Sequence, residues 1–149
     1  MNISAVGETD YNLIKTWFDN WGGFVSNLDF SSAGQMFAND VVAFGTWMDT
    51  VEGLDNLIED QWKNIWPTIK DFRFLTETLQ VQISPDQLFA VAMLIWNSTG
   101  LDKTGAAYKR PGRATVSLRR ENLSSLWKGT HTHLSLFRGV TQISYGPTS

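Results

Sequence analysis

The stretch "LFAVAMLIWNSTG", residues 88–100, decides how this chain folds. From Leu88 to Trp96 both sets of alternating positions are apolar, so a strand here must be covered on its two faces, whereas a half-solvated antiparallel strand would alternate. Upstream, "SPDQ" (84–87) has turn chemistry, and before it Leu75, Leu79, Val81 and Ile83 recur with period two on one face of a strand that starts near Ile69. Downstream, "GRATVSLRRE" sets Ala114, Val116 and Leu118 against Thr115, Ser117 and Arg119, and "WKGTHTHLSLF" (127–137) supplies a last strand. Four long strands in this order suit a strongly curved antiparallel sheet. Helices cover one side of the central strand, and a second copy of the chain is expected on the other, giving a homodimer through the open sheet face.

The helices come from the first half. Tyr11, Ile14, Trp17, Phe18, Trp21, Val25 and Leu28 recur at spacings of three and four, with Thr9 or Asp10 as the cap. Gly22 and Gly23 interrupt this stripe, so the helix bends there or something approaches its backbone closely. A short helix is predicted from a Ser31-Ser32 cap through "AGQMFAND", then a strand "VVAFGT" and a hairpin return "WMDTVEG". Residues 53–66 repeat the helical stripe through Leu54, Leu57, Ile58, Trp62, Ile65 and Trp66 until Pro67 stops it. Such a sheet wrapped on helices makes a cone with an open mouth.

At 149 residues, with 42% hydrophobic and 18% charged, the chain reads as one domain, with an ordered core over about 9–140 and a loose tail "ISYGPTS". Cysteine is absent, which excludes thiol nucleophiles, iron–sulfur clusters and disulfides and fits a reducing compartment. The N-terminus lacks a basic segment followed by an apolar run, and no stretch approaches the roughly 20 apolar residues of a membrane span; a cytoplasmic protein is expected. The net charge of −3 hides an asymmetry, since acids crowd the first half and Lys and Arg the last third, which lets the halves pack in complementary fashion. "YKRPGR" (108–113) is too short a basic run for nucleic-acid binding and reads as a polar connection between strands.

His131 and His133 share one face of the last strand, about 6.6 Å apart, with Thr132 on the other. An imidazole suits proton transfer at neutral pH, which makes both candidate acid/base groups. Leu134 and Leu136, on the face of Thr130 and Thr132, point toward the helices, so an unbulged strand turns the histidines away from the cone and makes them structural. A metal site needs a third ligand that no nearby spacing supplies, and no phosphate loop, dinucleotide fingerprint or nucleophile elbow occurs, so neither metal nor cofactor is expected. Seven tryptophans are more than a small core needs. Trp17, Trp21, Trp62, Trp66, Trp47 and Trp96, with Phe44, Thr132 and Leu134, are the candidate lining for a flat or alicyclic apolar ligand. Asp49 and Glu52 flank the hairpin at the mouth, where Asp49 could act as a base if the cone is dry around it.

The order of elements resembles the nuclear transport factor 2-like fold, and "VVAFGTWMDTVEGLDNL" with "GRATVSLRRE…W…HTHLSLF" resembles its SnoaL-like, ketosteroid-isomerase-like branch, over about Tyr11 to Arg138. The resemblance implies an α+β fold, a cone-shaped and strongly curved antiparallel sheet wrapped around about three N-terminal helices. Steroid isomerases of this family use a carboxylate base, a tyrosine and a protonated aspartate, which fall here near Gly45, Trp21 and Val116. That constellation is absent, leaving Asp49 or Asp40 as a replacement base. The association domain of calmodulin-dependent protein kinase, also similar at the last strand, follows its His-x-His with an anion-binding Arg, where this chain has Leu134. The expectation is a small-molecule pocket protein, a cofactor-independent isomerase, cyclase or dehydratase for an apolar cyclic or polyketide-like compound, acting through His131, His133 or Asp49. The rival is a non-catalytic ligand-binding or dimerisation module with a structural histidine pair.

Overall fold

The structure, a computed structural model, describes residues 7–146. Helix α1 (Glu8–Ser26) buries Ile14, Trp17, Phe18, Trp21 and Val25, the stripe expected from the sequence. It continues unbroken through the glycine pair, where Phe74 of the sheet approaches closely, 3.4 Å from where a Cβ on Gly22 would lie. Gly7, not Thr9 or Asp10, occupies the cap position. Asp10 instead faces Arg120 at 3.1 Å, an ion pair whose side chains are almost fully buried.

Helix α2 (Phe30–Gly34) is shorter than expected and is capped by Asp29, whose carboxylate accepts from the Ser32 amide at 3.1 Å. It stops because Phe37 is drawn into the aromatic core between Trp17, Trp21 and Trp62, which starts strand β1 (Phe37–Phe44) four residues early. The hairpin returns as β2 (Val51–Glu52). A third helical run then begins as α3 (Leu54–Asn56), widens into a π-helical stretch over Leu57–Trp62, returns to α4 (Lys63–Ile65) and closes with a 3-10 turn at Trp66–Thr68 that contains Pro67. No helix among the described residues is long and apolar enough to cross a membrane.

The remaining strands are β3 (Lys70–Ile83), β4 (Phe89–Leu101), β5 (Ala107–Lys109), β6 (Gly112–Arg119) and β7 (Lys128–Leu136). They complete an α+β molecule with a curved, open sheet in the order β2-β1-β7-β6-β4-β3, with β5 beside β4. Each neighbouring pair among the four long strands is antiparallel, as expected, but β7 returns alongside β1 in parallel, which makes the sheet mixed. Its curvature coincides with register breaks in β1, β3 and β7, where extra residues leave the ladder and bend the strand.

The break in β3 corrects the period-two reading. Phe72, Phe74 and Thr76 are buried on even positions, then Leu79 and Val81 on odd ones, so Leu75 faces outward with the opposite set. Thr78 stabilises the bulge: its hydroxyl donates to the Leu75 carbonyl at 2.7 Å and accepts from the Ile95 amide at 2.9 Å. Along β4, Ala90, Ala92, Leu94 and Trp96 face the helices, while Val91, Met93 and Ile95 are half-buried on the outer face.

The tail departs from expectation as well. Ser144 is buried, donates to the Thr68 carbonyl and accepts from the Leu101 amide, and Tyr145 N–H donates to Leu101. Residues 143–146 are thereby strapped to the sheet; Pro147–Ser149 and the first six residues lie outside the described part.

Candidate functional site

The concave side of the sheet and the third helical run enclose a hollow. The π-helical stretch shapes it, because the extra residue per turn turns Leu57, Gln61 and Trp62 inward together. Trp62 stacks on Trp66 at 4.6 Å and 21°, and Trp21 of α1, Phe72 of β3, Trp96 of β4 and Thr132 and Leu134 of β7 complete the wall. These indoles fill most of the space they enclose. The hollow has a volume of about 40 Å³, room for a carboxylate-sized group or a few waters and not for a ring. A roomy ligand cavity at the centre of the cone is therefore corrected: the stacked Trp62 and Trp66 take up its wall and Gln61 narrows its mouth. Of the expected lining, Trp17 packs instead among Phe18, Trp21 and Phe37, and Trp47 stands 48% exposed outside the hollow.

At the mouth, the Gln61 side-chain oxygen accepts from the Met48 amide at 2.6 Å and ties down the loop after β1. Its carboxamide occupies the space that a side chain at Gly45 would need, since a Cβ there would lie 2.6 Å from the amide carbon. At the position where the resemblance puts a carboxylate base, this chain thus holds a neutral amide reaching over from the helix. No Asp, Glu or His is among the residues lining the hollow.

Two groups that the sequence reading passed over stand here. Gln61 hides in a polar run, "EDQW", and only the π-helical turn brings it inward. Arg110 belongs to the stretch read as a polar connection between strands, yet it is 1% exposed and lines the hollow. Its backbone is pinned to β4 by reciprocal bonds with Ser98, the Arg110 amide to the Ser98 carbonyl at 2.9 Å and the Ser98 hydroxyl to the Arg110 carbonyl at 2.7 Å. One guanidinium nitrogen, Nη2, donates to the Gln142 carbonyl at 2.8 Å. Burial pushes the guanidinium down from its ordinary pKa.

Through Phe44, Gly45, Thr46 and Leu134 the hollow adjoins a groove of about 450 Å³ walled by Leu136, Phe137 and Val140. Asp49 and His133 lie on this groove rather than in the hollow. His131 is committed to the sheet: the Val42 carbonyl accepts at 2.7 Å, which places the imidazole proton on Nδ1. Both imidazoles lie on the outer face, with the Phe44 ring edge-on at 4.9 Å from His131 and 5.3 Å from His133. The bulge that pairs Ser117 with His131 and Leu118 with Gly129 turns Thr130 outward to Ser117, so Thr130 leaves the face it was expected to share with Thr132. Asp40 is exposed, 3.4 Å from Arg119, and lines neither hollow nor groove.

Comparison with known proteins agrees with this architecture. No curated protein matches the sequence. Among solved structures, a calcium/calmodulin-dependent protein kinase II association domain, so described provisionally, from Xanthomonas campestris superposes with a TM-score of 0.71 at 19% identity over 94% of this chain and 95% of that one. A nuclear transport factor 2-like superfamily protein from Salmonella enterica gives 0.69 at 16% over 99% and 95%. A ketosteroid isomerase-like protein from Erwinia carotovora gives 0.71 at 15% over 88% and 98%. At these identities the likeness is one of fold. The family model of the SnoaL-like domain matches residues 14–139, and with that span the chain belongs to the SnoaL-like family.

Proposed function

We propose that the protein binds a small cyclic or polyketide-like molecule in the cytoplasm, with the body of the ligand in the groove beside β7 and one small substituent in the indole-walled hollow. The observation that carries this reading is that hollow and groove share Phe44, Gly45, Thr46 and Leu134 in their walls. A volume of about 450 Å³ lies within the range of small-ligand sites, roughly 300–1,000 Å³. The SnoaL-like family supports a small-molecule role of this kind. The test is a tryptophan-fluorescence titration with a neutral bicyclic probe, naphthalene-2-carboxamide. Saturable quenching that disappears when Leu134→Trp blocks the passage is the expected result; no quenching in the native protein rejects the reading.

A catalytic version is favoured by one observation, that His133 and Asp49 line the same groove. In it, an isomerase, cyclase or dehydratase step would move a proton between ligand and imidazole without a cofactor. We further infer that two copies pair through the outer sheet face, where Val91, Met93 and Ile95 form a half-buried apolar stripe with exposed Phe89 at its end.

A further inference from the structure

Arg110 is a buried cation with no anion. Among the described residues no carboxylate lies within ion-pair distance of it, and Nε has no hydrogen-bond partner at all. A guanidinium cannot escape this by losing its proton, and a buried charge left unpaired is strongly unfavourable. Two further donors in the wall of the same hollow, Trp21 Nε1 and Trp96 Nε1, are buried without acceptors. Arg110, Trp21 and Trp96 all line this space, whose other walls are apolar apart from Thr46, Gln61 and Thr132 and include no acidic side chain. Buried donors in native proteins nearly always find partners. Unpartnered indole N–H groups also occur away from the hollow, at Trp17 and Trp127, so it is the buried charge of Arg110 in the hollow wall that calls for an acceptor supplied from outside. A volume of about 40 Å³ suits a group the size of a carboxylate.

We propose that the ligand is an organic carboxylate, its carboxylate seated in the hollow against Arg110 and its cyclic apolar body in the adjoining groove. This rests on the reading of hollow and groove as one ligand site. The arginine involved lies between β5 and β6, pinned by Ser98 and the tail carbonyl of Gln142, so the strap formed by residues 141–146 also holds the anion site in place.

The experiment compares naphthalene-2-carboxylate with naphthalene-2-carboxamide in the native protein by tryptophan fluorescence. Charge-assisted bonds at a buried site predict that the carboxylate binds about tenfold tighter or more. Arg110→Met and Arg110→Gln, checked for folding by circular dichroism, are expected to erase that preference. Should neither variant fold, the two probes on the native protein still decide. Equal binding of the two overturns the carboxylate and leaves the ligand site standing. Binding of neither overturns both. If sodium chloride raises the melting temperature through Arg110 as much as the carboxylate does, the site takes an inorganic anion and the proposal falls.

Discussion

Gln61 and Gly45 show how one missing side chain is used. The carboxamide fills the space beside Gly45 while its oxygen holds the Met48 amide, so a methyl group at Gly45 would have to expel it and leave that amide unpaired. Gly45→Ala is therefore expected to cost about 1–3 kcal/mol, the range for overpacking with loss of a buried hydrogen bond. In a Gln61→Ala background the same change should cost close to nothing, and urea denaturation of the double-mutant cycle reads the coupling. A different residue-scale dependence joins the acidic and basic halves of the chain. Arg120 contacts the Asp10 carboxylate at 3.1 Å, donates from Nε to the Gln87 carbonyl and lies over the Trp127 ring at 4.2 Å. Removing only the carboxylate strands a buried guanidinium, so Asp10→Ala should destabilise by about 3–5 kcal/mol. Arg120→Met in the Asp10→Ala background should recover much of this, measured by the same denaturation.

At the scale of elements, β3 depends on a single hydroxyl. Thr78 closes the bulge by donating to Leu75 and accepting from Ile95, bonds that its isostere valine lacks. Thr78→Val should cost about 1–3 kcal/mol and expose the Ile95 amide to hydrogen exchange, while Thr78→Ser keeps its protection. The β4–β5 turn depends on Asp102, which accepts from the Thr104 hydroxyl and from the Thr104 and Ala106 amides. These bonds, with the one from the Thr104 side chain foremost, hold the carboxyl below its usual range. A lowered folded value means that the stabilisation is in place above the unfolded value of about 3.9 and is lost as pH falls through the folded one. Asp102→Asn should therefore flatten the acid limb of the pH–stability curve, as followed by thermal melts between neutral and acid pH. The same two elements mark where sequence reading stops. The stripe of α1 was legible because every buried position recurs at helical spacing. Nothing in the alternation of residues 69–83 announces that Thr78 absorbs a register break, since a bulge depends on the partner strand. Arg110 was illegible for a related reason: its burial is imposed by Ser98 and by a tail more than thirty positions away.

For the molecule as a whole, the sheet leaves a question of coverage. The run of residues 88–96 reads as apolar on both faces, and the fold buries only one of them, with Ala90, Ala92, Leu94 and Trp96 against the helices. The other face presents Val91, Met93 and Ile95 between the polar positions Gln80 and Gln82 on β3 and Thr115 and Ser117 on β6. Its histidine flank is already engaged, since His131 is bonded to the Val42 carbonyl and both imidazoles abut Phe44, so the imidazoles rigidify that surface and leave the apolar stripe as its centre. An apolar centre with a polar rim is the anatomy of a two-fold interface, for which roughly 800 Å² per partner is usual. Sedimentation equilibrium at micromolar concentration should give a dimer for the native chain. Met93→Glu places a charge at the middle of the stripe without touching the inner core, and should yield a monomer with unchanged circular dichroism. A native chain that sediments as a monomer rules out this pairing and leaves the ligand site untouched, because its hollow lies on the inner face of the sheet and none of Phe89, Val91, Met93 and Ile95 lines its groove.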